Sequence, residues 1–120
     1  MAVRAIRGAI SVESNTKEKI FEATNELLAE MVKRNDINRE DMIAMFFTMT
    51  KDLNVYYPAA AAREIGYTDV PLVCYAELEI ENSLRMCLRI MIQVNTEKTN
   101  AQIKHVYLKD AKVLRKDLAD

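Results

Sequence analysis

Glycine is nearly absent from this chain. Gly8 and Gly66 are the only two in 120 residues, so neither a glycine-rich phosphate loop nor a dinucleotide-binding fingerprint can be built. Histidine is scarcer still. His105 stands alone, which argues against a histidine metal cluster, and no nucleophile motif surrounds Ser11, Ser14 or Ser83 to make a triad with it. Cys74 and Cys87 form neither a disulfide framework nor a metal-ligand pattern, and a reducing cytoplasm is the simplest compartment for them. Lysine and arginine total 17 against 18 acids, so no basic excess draws in nucleic acid or anionic lipid. No apolar run approaches membrane-spanning length, and residues 1–7 lack the long apolar core of a signal peptide.

What remains is ordinary for a soluble globular protein: half the residues are apolar and 29% are charged. The length fits a single domain, residues 1–120. Within it, residues 84–94 stand out. Leu84, Met86, Leu88, Ile90, Ile92 and Val94 alternate on one face, as in a strand with an apolar side. The other face carries Arg85, Cys87, Arg89, Met91 and Gln93. Cys87 and Met91 imply that this face is covered as well, and a guanidinium buried there without an anionic partner is costly. Either a carboxylate of the protein or a ligand should meet Arg89.

The rest of the chain supplies the neighbours. Residues 2–12 read as a strand with Val3, Ala5, Arg7 and Ala9 on one face, Arg7 reading as an edge-strand arginine that reaches solvent. Asn15 and Glu18 mark a helix entry, and Ile20, Thr24, Leu27, Leu28, Met31 and Val32 its buried face. The nearly unbroken apolar run 42–50 reads as a strand buried on both faces, although periodicity leaves a short helix open. Pro58, four alanines and Gly66 predict a short helix with its start and stop, with Tyr56 and Tyr57 at the entrance to line a cleft or staple the helix. Residues 70–80 form a strand with Leu72, Cys74, Ala76, Leu78 and Ile80 on one face and Val73, Tyr75, Glu77 and Glu79 on the other. Residues 101–108 end in a short strand placing His105 and Tyr107 together, and Ala111, Val113, Leu114 and Leu118 give the tail enough apolar surface to dock.

Glu81-Asn82-Ser83 reads as a turn joining residues 70–80 to residues 84–94 in an antiparallel hairpin. Pairing Ile80 with Leu84 buries the apolar faces together and makes Glu77 and Arg89 diagonal neighbours, roughly 7–8 Å apart. A two-residue loop would instead put them on opposite faces. The element order predicts an α+β (α/β) fold, one mixed sheet with helices packed on one face. Were the opposite face to carry Arg7, Glu77, Arg89 and Tyr107, it would need another layer or a subunit. Two cations, a carboxylate and a phenol suit a small anion bearing a hydroxyl, but on pattern alone Glu77 and Arg89 read as a cross-strand salt bridge. Cys74 reads as a core thiol and His105 as a surface residue at a strand end.

An ordered set of residues carries a family resemblance. It comprises Arg4-Ala-Ile-Arg-Gly-Ala9, Asp52-Leu53 with Tyr57-Pro-Ala, Arg63-Glu64, Val70-Pro71, Cys74 with Glu77, Cys87-Leu-Arg89, His105-Val-Tyr-Leu-Lys-Asp-Ala-Lys-Val-Leu-Arg115 and Asp117-Leu118. From about Val3 to Leu118 the chain closely resembles the monofunctional chorismate mutases of the trimeric α/β type. The resemblance implies a homotrimer with a pseudo-α/β-barrel core and three active sites between subunits. The reaction it implies is the pericyclic rearrangement of chorismate to prephenate, on the route to phenylalanine and tyrosine. That chemistry requires no nucleophile, metal or cofactor, only a substrate held in its compact conformer with its developing charges stabilised.

By the same resemblance, Arg89 meets the ether oxygen as it turns negative. Arg7 holds a carboxylate with Tyr107 nearby, and Glu77 takes the ring hydroxyl, which Cys74 also touches. Val73, Cys74, Tyr75, Ala76 and Glu77 line the pocket, Tyr57 forms a wall, and Arg63 and Leu114 lie near the mouth. Two positions depart from the family: Ala60 stands where relatives often have a lysine, and the chain stops at Asp120, leaving little tail to cover the site. The competing class is a non-catalytic trimer that binds a small carboxylate in the same cleft.

Overall fold

The computed structural model describes residues 1–115, and of Arg115 only the backbone. Asp117 and Leu118 of the family pattern therefore lie outside the described residues. The sheet has five strands, β1 (Ala2–Ser11), β2 (Met42–Met49), β3 (Leu72–Ala76), β4 (Cys87–Thr96) and β5 (Val106–Leu108), in the order β3-β2-β4-β1-β5. β4 lies antiparallel between β2 and β1, whereas β3 runs parallel to β2 and β5 parallel to β1.

The order corrects two expectations. Residues 70–80 and 84–94 do not form a hairpin, because β2 lies between β3 and β4. Alternation tells which face a side chain takes, not which strand lies beside it. The apolar β2 finds partners on both edges only from the inner position. β3 stops at Ala76, and residues 77–86 cross the end of β2 with Leu78 and Ile80 exposed. Nor is β1 an edge strand: β5 flanks it, although only through Gly8, Ala9 and Ile10, so Arg7 still reaches solvent.

The start of β4 also differs from the alternating pattern. Met86 has a left-handed φ of 51°, which costs a residue with a Cβ about 1–2 kcal/mol. Alternation therefore begins at Cys87. Leu84 packs with Ala9, Cys87, Tyr107 and Ala111 rather than with the core that holds Leu88.

α1 (Lys17–Asn35) and α2 (Pro58–Glu64) cover one face of the sheet. Thr16, not Asn15, caps α1, its hydroxyl accepting from Lys19 N–H at 3.2 Å; the Asn15 amide donates to Asn54 instead. Ile20, Ala23, Leu27, Leu28 and Met31 bury the inner face of α1 against Ile6 and Ile10 of β1 and Leu88, Ile90 and Ile92 of β4. In α2, Pro58 takes the first helical position, and Gly66 just beyond has φ 109°. Tyr56 does the stapling: its hydroxyl donates to Glu64 at 2.9 Å, and Lys17 lies over its ring.

The sheet is not equally covered on both sides. Of β2, only Met45 and Phe47 on the helix side are fully buried, which corrects the expectation of a strand buried on both faces. On the opposite side Val3, Val73 and Tyr75 are exposed, while Phe46 and Met91 are half-buried.

Gly8 is where helix and sheet approach most closely. A Cβ there would lie 2.5 Å from Met31 Sδ and 3.0 Å from Leu27 Cδ1, so Met31 would have to move. Gly8→Ala should destabilise the protein by about 1–3 kcal/mol, read as a lower urea midpoint at fixed protein concentration. An unchanged midpoint would mean that Met31 repacks freely.

Candidate active site

One row of register-paired residues crosses all five strands: Tyr75, Thr48, Arg89, Ala9 and Tyr107. All five belong to the face away from the helices. Glu77 follows Tyr75 by two residues and keeps its side. From there it reaches over β2, and its Oε1 lies 2.6 Å from Arg89 Nε. Its Oε2 accepts a 3.0 Å hydrogen bond from Thr48 Oγ1. Glu77 and Arg89 thus do meet, through β2 rather than along a hairpin.

Position, not pairing alone, makes this contact unusual. Glu77 is 13% and Arg89 30% exposed at the side chain, so the pair is only partly hydrated. The Nε–Oε1 approach is short, yet the N–H is not aligned on the oxygen, and Arg89 Nε forms no hydrogen bond among the described residues. Charge holds the pair at this distance. Tyr107 is likewise buried, and its hydroxyl has no hydrogen-bond partner among the described residues. A buried polar group without a partner is costly, and Tyr107 lies on one side of Ala9 with the Arg89–Glu77 pair on the other.

Arg7 lies two residues from Ala9 on the same face, in register with Met91, and is exposed. Its backbone N–H donates to His105 Nδ1 at 3.0 Å, so His105 joins β1 to the approach of β5 and is not merely a surface residue. Leu114 packs beside Tyr107. Arg7, Glu77, Arg89, Tyr107 and Leu114 thus gather on the uncovered side of the sheet.

The other expected residues lie elsewhere. Cys74 and Ala76 pair with Phe47 and Met49 on the helix side, and Cys74 packs against the main core. With Tyr57, which is 69% exposed, they line a cleft of about 400 Å³ beside the start of α2. Arg63 is exposed on α2. Val73 and Tyr75 return to the uncovered side on edge strand β3, where Tyr75 stacks on Phe46 with ring centroids 6.4 Å apart. Within one chain Cys74 and Ala76 therefore face the helices, whereas Val73 and Tyr75 share the face of Arg89 at the sheet edge.

Thr48 and Thr50 escaped the sequence reading. Each hydroxyl was a polar interruption in an otherwise apolar run, and that break in pattern was the available signal. Lys51 adds a 2.9 Å ion pair to Glu79 at the rim. Among the described residues no group of three or more His, Cys, Asp or Glu is placed to hold a metal.

The chorismate mutase type I family matches residues 3–118. The chain is 40% identical to chorismate mutase AroH of Bacillus subtilis (strain 168) over 120 residues, covering 99% of this chain and 94% of that protein. It is 44% identical to chorismate mutase AroH of Thermus thermophilus over 117 residues, covering 97% and 96%. The fold superposes on a solved chorismate mutase from Clostridium thermocellum with a TM-score of 0.89 at 46% identity, over 92% of this chain and 98% of that one.

Burial pushes the Cys87 thiol up to about 11; the Arg89 guanidinium opposes this, while Glu77 and Asp52 add to it. Iodoacetamide near pH 8 should therefore leave Cys87 unmodified in the folded protein and label it after denaturation. Fast labelling of the folded form would contradict the assignment. Between the ordinary value of 9.0 and about 11, the folded chain keeps a proton that the unfolded chain releases. This group's contribution to stability should accordingly fall as pH rises through that window.

Proposed function

The chain belongs to the chorismate mutase type I family, and we propose that it rearranges chorismate to prephenate with Arg89 and Glu77 at opposite ends of the substrate. The enzyme is an isomerase. In the rearrangement an ether C–O bond breaks while a C–C bond forms between the enolpyruvyl side chain and the ring. Electrons move in a cycle, with no net proton transfer and no covalent enzyme intermediate. Catalysis therefore consists of holding the compact conformer and stabilising charge that exists only in the transition state.

The observation that carries the assignment of roles is the placement of Arg89 on β4 and Tyr107 on β5, either side of Ala9 in β1, with the Tyr107 hydroxyl buried and without a hydrogen-bond partner among the described residues. Arg89 donates to the ether oxygen as negative charge collects there. Tyr107 and Arg7 hold a carboxylate of the dianion. Glu77, oriented by Thr48, accepts from the ring hydroxyl and favours the positive charge developing on the ring. Glu77 pairs through Nε of Arg89, and the other guanidinium N–H groups face the substrate.

The facing of Cys74 and Ala76 away from Arg89 supports a homotrimer in which each site lies between subunits. One subunit supplies Arg7, Glu77, Arg89, Tyr107 and Leu114. Its neighbour supplies Tyr57, Arg63, Val73, Cys74, Tyr75 and Ala76, brought in at edge strand β3. The exposed apolar side chains Val3, Val73 and Tyr75 are suited to an interface on the uncovered face, where three sheets would close into the barrel-like core. Ala60 provides no cation at the outer end, so Arg7 and Arg63 carry more of the dianion's charge. Two free cysteines support a cytoplasmic setting.

Purified protein added to chorismate should accelerate the loss of its ultraviolet absorbance, with prephenate as product. Replacing Arg89 with citrulline, an uncharged isostere, should lower kcat roughly a hundred- to thousandfold while sedimentation still reports a trimer. Turnover near that of the unaltered protein would exclude Arg89 as the electrostatic catalyst. Glu77→Gln keeps an acceptor oxygen and should cost less, about tenfold. No acceleration by the unaltered protein would favour a carboxylate-binding module instead.

A further inference from the structure

Every backbone polar group of Met86 and Cys87 has a partner, and most of these partners come from the two residues Thr50 and Asp52. Both carboxylate oxygens of Asp52 accept from Met86 N–H, at 3.0 and 3.1 Å. Thr50 Oγ1 accepts from Cys87 N–H at 3.0 Å and donates to Asp52 Oδ1 at 2.5 Å. Thr50 N–H donates to Cys87 O at 3.0 Å, and Val12 N–H donates to Met86 O at 2.7 Å. This network surrounds the one residue at the entrance to β4 whose backbone is left-handed, Met86.

A Cβ disfavours that conformation, and residues other than glycine, asparagine and aspartate rarely adopt it. Left alone, Met86 would relax toward an extended backbone. The entrance of β4 would then re-pleat, and a strand shifted by one residue presents its side chains to the opposite face. Arg89 is two residues past Cys87 and shares its face.

We propose that Asp52, with Thr50, is a positioning residue for catalysis: it locks the left-handed turn at Met86 and thereby sets the angle at which β4 presents Arg89. The inference rests on the functional reading above. Both Asp52 oxygens are engaged by Met86 N–H and Oδ1 also by Thr50, so Asp52 acts through the backbone of Met86. A charged acceptor suits the task because two oxygens on one N–H resist rotation of the peptide plane, and a carboxylate makes the stronger bond. The network also links the end of β2 to the start of β4, so the strand bearing Thr48 and the strand bearing Arg89 keep a common register.

The test uses the full chain carrying Asp52→Ala or Asp52→Asn, each with and without Met86→Gly, assayed well below its thermal midpoint with circular dichroism and sedimentation as controls. Misplacing Arg89 should lower kcat of Asp52→Ala about ten- to a hundredfold, with KM changed by less than about threefold. Asp52→Asn keeps one acceptor and should fall between Asp52→Ala and the unaltered protein; it decides the matter if Asp52→Ala does not fold. Glycine adopts the left-handed backbone without a Cβ penalty, so Met86→Gly should return at least about fivefold of the lost kcat to Asp52→Ala. Two results would overturn the proposal: a kcat within about twofold of the unaltered protein despite a lower thermal midpoint, or a midpoint restored by glycine without any kcat. Inactivity of the unaltered protein overturns the functional reading and this inference together. Activity that is lost with Arg89 but kept by every Asp52 variant overturns this inference alone.

Discussion

The ion pair of Arg89 with Glu77 spans the width of β2, and the arrangement around it follows from that span. A cation in the middle of a sheet face must be offset by a nearby anion, or its desolvation would work against the fold. An anion on the next strand, directly opposite, would engage the guanidinium fork bidentately. Glu77 instead comes from two strands away, just beyond the end of β3, and arrives close but out of line. Thr48, in the intervening strand, takes the second carboxylate oxygen. The charge is neutralised while donor capacity is retained. A binding site for a dianion with a breaking C–O bond needs that combination, because protein charges that fully satisfied one another would have nothing left for the transition state.

Much of this was legible in the residues. The helix at Pro58 and Gly66, the inner face of α1 and the facing of Cys74 against Glu77 all follow from local chemistry that acts within a few residues. Strand adjacency was not legible in the same way. Alternation at residues 70–80 assigns a face to each side chain, yet nothing in it reveals that β2 inserts beside β3 and leaves residues 77–86 as a crossing loop. The left-handed Met86 was hidden for a related reason. Its side chain keeps the apolar character of the pattern, and the cause of its backbone conformation lies in Asp52, far away in sequence. The roles of Arg7, Tyr107 and Arg63 came from the family resemblance, since periodicity offers no reason to separate a substrate-binding arginine from a solvated one.

In the proposed trimer, the facing of the expected residues ties catalysis to association. The face opposite the helices carries the charged residues together with exposed Val3, Val73 and Tyr75, a mixture that serves poorly as free surface and well as a partly polar junction. In that proposal, residues on the helix side of β3, such as Cys74, reach the same chemistry when another copy brings its edge alongside. On the proposed arrangement, dilution to monomers removes activity before it removes the fold of each chain, because the core between sheet and helices is complete within one copy.

The close approach at Gly8 has a consequence for genetics. Arg7 and Ala9 flank it in β1: one is a proposed carboxylate holder, the other the spacer between Arg89 and Tyr107. Met31 and Leu27 press on the back of that same peptide. A bulkier residue in the middle of α1 would therefore push on the strand between two site positions. Loss-of-function alleles should then map to a buried helix stripe that no substrate atom touches, as well as to the arginines themselves. A screen that scored such alleles as simple folding defects would miss that the helix is the backing plate of the proposed active site.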